Sequence, residues 1–234
     1  METGADLIDK WHKEAQKRVK FRLPLTLGMS FERYKDFKTH APEYIIGADE
    51  VGCGPLAGPV TVCAFLSRAD WHLAGVRDSK KLTRPEHAAL VPDIERGGAF
   101  HIASLPNTLV DQIGMTQTLQ LLYEECLMQL QVRFPVKFDK ALIVIDGKQW
   151  ARYVDHISLP KADDIVTQVS AASILAKYQR DTWMIEVADR LYPQYSFDKH
   201  KGYGTPRHRN MIAKHGVCPL HRLTFLKNAD AWRD

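Results

Sequence analysis

Two apolar runs in this chain end on carboxylates, and no other feature narrows its possible folds as much. YIIGADEV, from Tyr44, closes on Asp49 and Glu50 with one valine after them, and ALIVID closes on Asp146. A further pair, Asp163 and Asp164, stands just ahead of the small-residue stretch Ser170, Ala171, Ala172 and Ser173. A short continuous apolar run is the pattern of a strand covered on both faces. A carboxylate at the end of such a strand costs free energy unless it is hydrated, paired or bound to metal. Several brought to one sheet edge repel each other and raise one another's pKa, a strain that a divalent cation relieves. Mg²⁺ and Mn²⁺ take oxygen ligands, so a carboxylate set without histidine or cysteine suits them. Taken singly, each acid has a plainer reading: Asp146-Gly147 as a turn, and Asp163 or Asp164 as a helix cap. Taken together, they favour a metal cluster.

The remaining pattern supplies the elements around those ends. GPVTVCAFL and AFHIASL read as further strands, and DHISLP as a short one. RPEHAALVPDIER reads as a helix with Thr83 as its N-cap. Apolar residues at 109, 113, 119, 123, 127 and 130 predict a helix laid along a core. SAASILAKYQRDTWMIEVADRLYP predicts a long helix ended by Pro193, its small residues permitting close approach to a sheet. PRHRNMIAKHG predicts a last helix, with Pro206 just inside its start and Gly216 at its end. Residues 1–40 read as a basic arm of one or two helices broken near Pro24, and residues 41–234 as the main domain. Strands that first cluster and then alternate with helices indicate an α/β fold with a mixed sheet.

Composition bounds the function. The chain has 234 residues, 45% hydrophobic and 26% charged, enough for one domain with a real core. No apolar run approaches a membrane span, and the N-terminus lacks the apolar centre of an export signal. Cys53, Cys63, Cys126 and Cys218 are scattered and form no CxxC pair. Reduced thiols in a cytoplasmic protein without a membrane partner are therefore expected. Net charge is +4 and pI about 8.8. Lys10, Lys13, Lys17, Arg18, Lys20 and Arg22 crowd one end, and Lys199, Lys201, Arg207, Arg209, Lys214 and Arg222 the other. Two basic ends around an acidic middle suit a phosphate backbone.

The turn VGCGPLAGPV lacks the lysine and hydroxyl of a phosphate-cradling loop and the spacing of a dinucleotide fingerprint. Gly52 and Gly54 would still let backbone approach a ligand closely. GADEVGCGPLAGPV, DSKKLT, IVIDG, KADDIVTQVSAASILAKYQRD and HKGYGTPRH follow one another in this order. The series resembles that of ribonuclease HII, from about residue 44 to the C-terminus. MSFERYKDF, ahead of it, is similar to the helical lead-in of longer bacterial members.

The resemblance implies a ribonuclease H-like mixed sheet flanked by helices, with a C-terminal helical extension. It implies a metal-dependent endonuclease that hydrolyses the RNA strand of RNA/DNA hybrids and incises DNA at embedded ribonucleotides, leaving 3′-hydroxyl and 5′-phosphate ends. Its four catalytic, metal-holding acids would be Asp49, Glu50, Asp146 and Asp163, with Asp164 a neighbour, around two ions of Mg²⁺ or Mn²⁺. Gly52, Cys53, Gly54 and Tyr203 would test for the 2′-hydroxyl, and Lys80 and Lys81 would contact phosphate. A monomer is expected. One position departs from the family pattern: Gly-Arg-Gly is here Gly52-Cys53-Gly54. The lost charge-assisted contact is worth about 1.5–3 kcal/mol. Incision at a single ribonucleotide should suffer more than cutting of longer hybrids. The sister ribonuclease HIII also lacks that arginine, but carries a larger, sheet-containing N-terminal domain.

Overall fold

Strand β2 (Tyr44–Val51) fixes the plan, because its alternate side chains are claimed by different helices. The computed structural model describes residues 3–18, 26–28, 41–76, 83–147, 151 and 154–226. In chain order its main elements are α1 (Gly4–Arg18), β1 (Thr26–Gly28), β2, β3 (Val60–Arg68), α2 (Arg84–Gly97), β4 (Ala99–Leu105), α3 (Asn107–Arg133), β5 (Ala141–Asp146), β6 (His156–Leu159), α4 (Thr167–Trp183) and α5 (Pro206–His215). The sheet has six strands in the order β1-β6-β5-β2-β3-β4. β2 runs parallel to β5, and β5 to β6, while the β2–β3, β3–β4 and β1–β6 pairs are antiparallel. The mixed sheet expected from the strand pattern is therefore present.

The period of two along β2 separates its faces. Ile46 and Ala48 join a buried cluster with Leu119, Leu122, Tyr123, Cys126 and Leu127 of α3. The odd positions face the other way, where Ile45 packs with Val166 and Val169 at the start of α4. Cys63 and Phe65 of β3 meet Ala171, Ala172, Ile174 and Leu175 of α4 on that same face. Each fully buried Leu or Ile contributes about 1.5–3 kcal/mol, so the sheet is gripped from both sides. Gly47 marks the tightest approach. A Cβ there would lie 2.2 Å from backbone atoms of Gln168 and Val169.

Local signals hold where they were strong. Thr83 precedes α2, and its backbone N–H donates to Glu86 Oε2 at 2.6 Å, one half of a capping box. Thr205 accepts from His208 N ahead of α5, and Gly216 (φ 76°) ends it, donating to Ile212 O at 2.8 Å. Three features differ from the sequence pattern. The α3 helix is broken at Gly114 (φ 81°, ψ 161°). The helix expected from Ser170 begins at Thr167 and passes through a π-turn at Met184–Ala188 before stopping at Leu191. In the N-terminal segment α1 buries Ile8 and Trp11 against Leu142 and Ile157, but Thr26–Gly28 is a strand paired with β6 rather than helix. The lead-in segment 29–37 lies outside the described residues.

The C-terminal segment packs on Tyr195, Phe197, Ile212 and Cys218, and a relay of histidines runs through it. Cys218 N donates to His221 Nδ1 at 2.9 Å. His221 therefore carries its proton on Nε2, which donates to His208 Nε2 at 3.1 Å. His208 then donates from Nδ1 to Tyr203 O at 3.0 Å. Both rings are buried, and a second proton on His208, at Nε2, would face the His221 donor. Burial, with the neighbouring rings, holds His208 down to about 3 and His221 to about 4. Between pH 6.5 and 4 the unfolded chain takes up protons that the folded chain refuses, so stability falls as pH falls. The expected slope approaches about 1.4 kcal/mol per pH unit for each ring. Melting temperatures from pH 7 to 5 check it: wild type should lose stability more steeply than His221→Gln, and parallel curves would refute the relay.

Candidate active site

The register of the sheet places the carboxylates. β2 and β5 pair with Ala48 opposite Ile145, so Asp49 and Asp146 lie side by side one step further on. Asp146 in turn pairs with Leu159 of β6. Two residues past that strand, Lys161 adopts a left-handed conformation (φ 60°) and opens the turn Ala162–Asp164. The turn is tied back to the sheet by Ala162 N, which donates to Asp146 Oδ1 at 2.6 Å. Asp163 rides on this turn and is buried, whereas Asp164 is partly exposed. The Ser170 hydroxyl of α4 donates to the Asp163 carbonyl, holding the turn from the other side.

Asp49 and Glu50 leave β2 toward opposite faces. Asp49 looks toward α4, where the Ser173 hydroxyl bonds to it. Its Oδ1 also accepts from Glu50 N at 2.7 Å. Glu50 looks toward α3, where the buried Tyr123 hydroxyl donates to its Oε2. Cys53 Sγ lies 3.9 Å from Glu50 Oε1. Burial pushes the Asp49 carboxyl well above the usual range, and the charges of Asp146, Glu50 and Asp163 push it further. Glu50 is raised too, first by burial and partly offset by the Tyr123 bond, with Asp163 adding repulsion.

The four expected acids are thus within electrostatic reach of one another, and the strongest charges acting on Asp49 are other carboxylates. Among the described residues, no three such groups are drawn tightly enough to hold an ion as they stand. Asp49, Glu50 and Asp146 turn oxygens toward protein donors instead. The donor set nonetheless fits a hard divalent cation: oxygen ligands only, and mutual repulsion that added positive charge would relieve.

The glycine turn sits beside this cluster. A Cβ at Gly52 (φ 93°) would lie 2.4 Å from Arg180 Nε, whereas one at Gly54 would meet nothing within 4 Å. Protein packing therefore requires the first glycine, and space remains open at the second. Leu56 N donates to Gly202 O at 2.8 Å, bringing the HKGY segment against the same loop. Tyr203 is 37% exposed, and Lys177 Nζ and Arg180 Cζ lie 5.5 and 5.8 Å from its ring centroid. Lys80 and Lys81 fall outside the described residues.

Sequence reasoning missed two partners. Tyr123 read only as a core position on a helix face, and nothing in that periodicity shows where a hydroxyl points. Arg222 read as part of a basic end suited to a phosphate backbone, but it is fully buried. Burial pushes Cys53 up to about 12, with Glu50 adding to the rise and Arg222 opposing it.

Solved structures share this architecture. Ribonuclease H2 from Pyrococcus horikoshii matches with a TM-score of 0.63 at 23% identity, covering 81% of this chain and 97% of that one. Bst-RNase HIII in complex with Mn²⁺ matches with a TM-score of 0.61 at 25% identity, covering 82% and 71%. The fold and the carboxylate-lined sheet edge define a protein of the ribonuclease H-like class. The model of the family described as Ribonuclease HII matches residues 46–228. A ribonuclease HII of Ruminiclostridium cellulolyticum is 35% identical over 228 residues, 95% of this chain and 84% of its own length. One from Caldicellulosiruptor bescii is 34% identical over 200 residues, 85% of this chain and 94% of its own. The chain belongs to the ribonuclease HII family and is an endoribonuclease.

Proposed function

We propose that this chain hydrolyses the RNA strand of RNA/DNA hybrids, using Asp49, Glu50, Asp146 and Asp163 to hold two divalent ions, Mg²⁺ or Mn²⁺. The observation that carries this reading is the Asp49 carboxyl, raised by burial and by three other carboxylates at one sheet edge. Bound there, such ions would activate water and stabilise the leaving oxygen, giving 3′-hydroxyl and 5′-phosphate ends. The chain's own contribution is orientation. Ser173 steers Asp49, Tyr123 steers Glu50, and Ala162 N–H steers Asp146. Gly52, Cys53 and Gly54 offer backbone to the sugar, and Tyr203 offers a ring that stacks on it, so that together they read the 2′-hydroxyl. Lys80 and Lys81 are proposed phosphate contacts. The enzyme is proposed to act as a cytoplasmic monomer.

A cleavage panel tests the reading: an RNA/DNA hybrid, a duplex with one embedded ribonucleotide, and the all-DNA duplex, each with Mg²⁺ and with Mn²⁺. Cutting of the hybrid and sparing of DNA is the expected result. Cutting of DNA, or of nothing with either ion, would refute it.

The same panel measures the effect of residue 53. Restoring a guanidinium by Cys53→Arg should raise incision at the single ribonucleotide by about ten-fold or more, as a charge-assisted contact of about 1.5–3 kcal/mol implies. Activity on long hybrids should change less. An equal effect on both substrates would show that residue 53 does not set the preference.

A further inference from the structure

Arg222 is the most thoroughly bonded side chain near the site, and nothing in the proposed chemistry uses it. Its guanidinium donates to the carbonyls of Cys53 (3.2 Å), Pro55 (3.0 Å), Gly58 (2.8 and 3.2 Å) and Pro59 (3.1 Å). Its own N–H donates to Leu56 O at 2.8 Å. Arg180 takes the Ala57 carbonyl at 3.2 Å and shares that of Pro59 at 2.9 Å. Every carbonyl from residue 55 to 59, and that of Cys53, is thus drawn inward by two buried arginines.

The Cys53 bond has a directional consequence. Among the described residues no peptide bond is cis. In a planar trans peptide the C=O and the following N–H point opposite ways. With Cys53 C=O drawn toward Arg222, Gly54 N–H must point away from it. Gly54 is exposed, and a Cβ there meets open space. Among the described residues this N–H has no acceptor. A cation bonded to the carbonyl also withdraws electron density from the same peptide unit and strengthens its donor.

We infer that Arg222 is a positioning residue for substrate selection: through the Cys53–Gly54 peptide it aims and strengthens the Gly54 N–H as the donor to the ribose 2′-hydroxyl oxygen. The inference rests on the proposed reading of the glycine turn.

Fluorescence anisotropy in EDTA tests it, with a labelled RNA/DNA hybrid and the all-DNA duplex of the same sequence. Wild type sets the hybrid-over-DNA affinity ratio. Arg222→Gln should lower that ratio by about ten-fold while all-DNA affinity stays level, because phosphate contacts carry no information about the sugar. Gly54→Ala, whose Cβ faces open space, should do the same by blocking approach to the N–H. The double variant should fall no further than Gly54→Ala, since both changes remove one interaction. If Arg222→Gln does not fold, Arg222→Lys takes its place, because an ammonium cannot span the Cys53 and Gly58 carbonyls together. A lowered melting temperature with an unchanged ratio would overturn the inference, as would an unchanged ratio in Gly54→Ala or full additivity in the double variant. Failure of wild type to cut the hybrid would instead sink the proposed function itself.

Discussion

Asp146→Asn is expected to lower hydrolysis at least about a thousand-fold and, at the same time, to raise the melting temperature. The two effects share one cause. Asp146 is the largest charge raising the Asp49 carboxyl, and the two residues lie level on parallel neighbours β5 and β2. Asparagine keeps an oxygen for Ala162 N but removes the charge. A metal-holding carboxylate supports several kcal/mol of transition-state stabilisation, and each 1.36 kcal/mol is ten-fold in rate. The folded state, by contrast, loses a repulsion; relief of about 1 kcal/mol is worth roughly 2–4 °C in a chain of this size. Wild type should also gain melting temperature on adding Mn²⁺, since a ligand bound only by the folded state stabilises it, and the variant should gain much less. Scanning calorimetry with and without Mn²⁺, beside a cleavage assay, reads all three. A variant that loses activity by melting earlier would mean that Asp146 is structural and the site is not strained.

Gly47→Ala should cost about 3 kcal/mol or more, or roughly 10 °C in melting temperature. The added carbon would meet backbone on the far side, Gln168 C and Val169 N at 2.2 Å, where no flexible side chain can swing away. Relief requires lifting the start of α4 from β2. That helix carries Ser170, which holds the Asp163 turn, and Ser173, which bonds Asp49. Activity should therefore fall even below the melting point. Thermal denaturation checks the first effect and cleavage at low temperature the second; a melting temperature within about 2 °C of wild type would show that the helix moves freely.

Much of this was legible because it rests on period and punctuation. The strands around Asp49 and Asp146 are long, apolar and sharply ended, so the acids at their ends could be read directly. The cap at Thr83, and Pro206 and Gly216 at the two ends of the last helix, are residue-level signals, and the structure agrees with them. What escaped depends on partners distant in sequence. A three-residue strand such as Thr26–Gly28 is too short to show a period, and β6 alone defines it. The break at Gly114 could not be told from a tolerated helical glycine. Arg222 sat within a basic cluster in the sequence and is distinguished only by carbonyls more than 160 residues away. Of the site, the acids were legible as a group, whereas the hydroxyls that orient them were not.

The tether between Arg222 and the glycine loop spans 163 to 169 residues. Such a bond cannot form before residue 222 has been added to the chain. The sheet core can assemble from earlier segments, but the loop beside the acids lacks this tether until Arg222 has left the ribosome. A newly made molecule thus acquires its core before the loop that adjoins its acids. A stop codon upstream of position 222 would leave the sheet intact in plan and that loop without its latch.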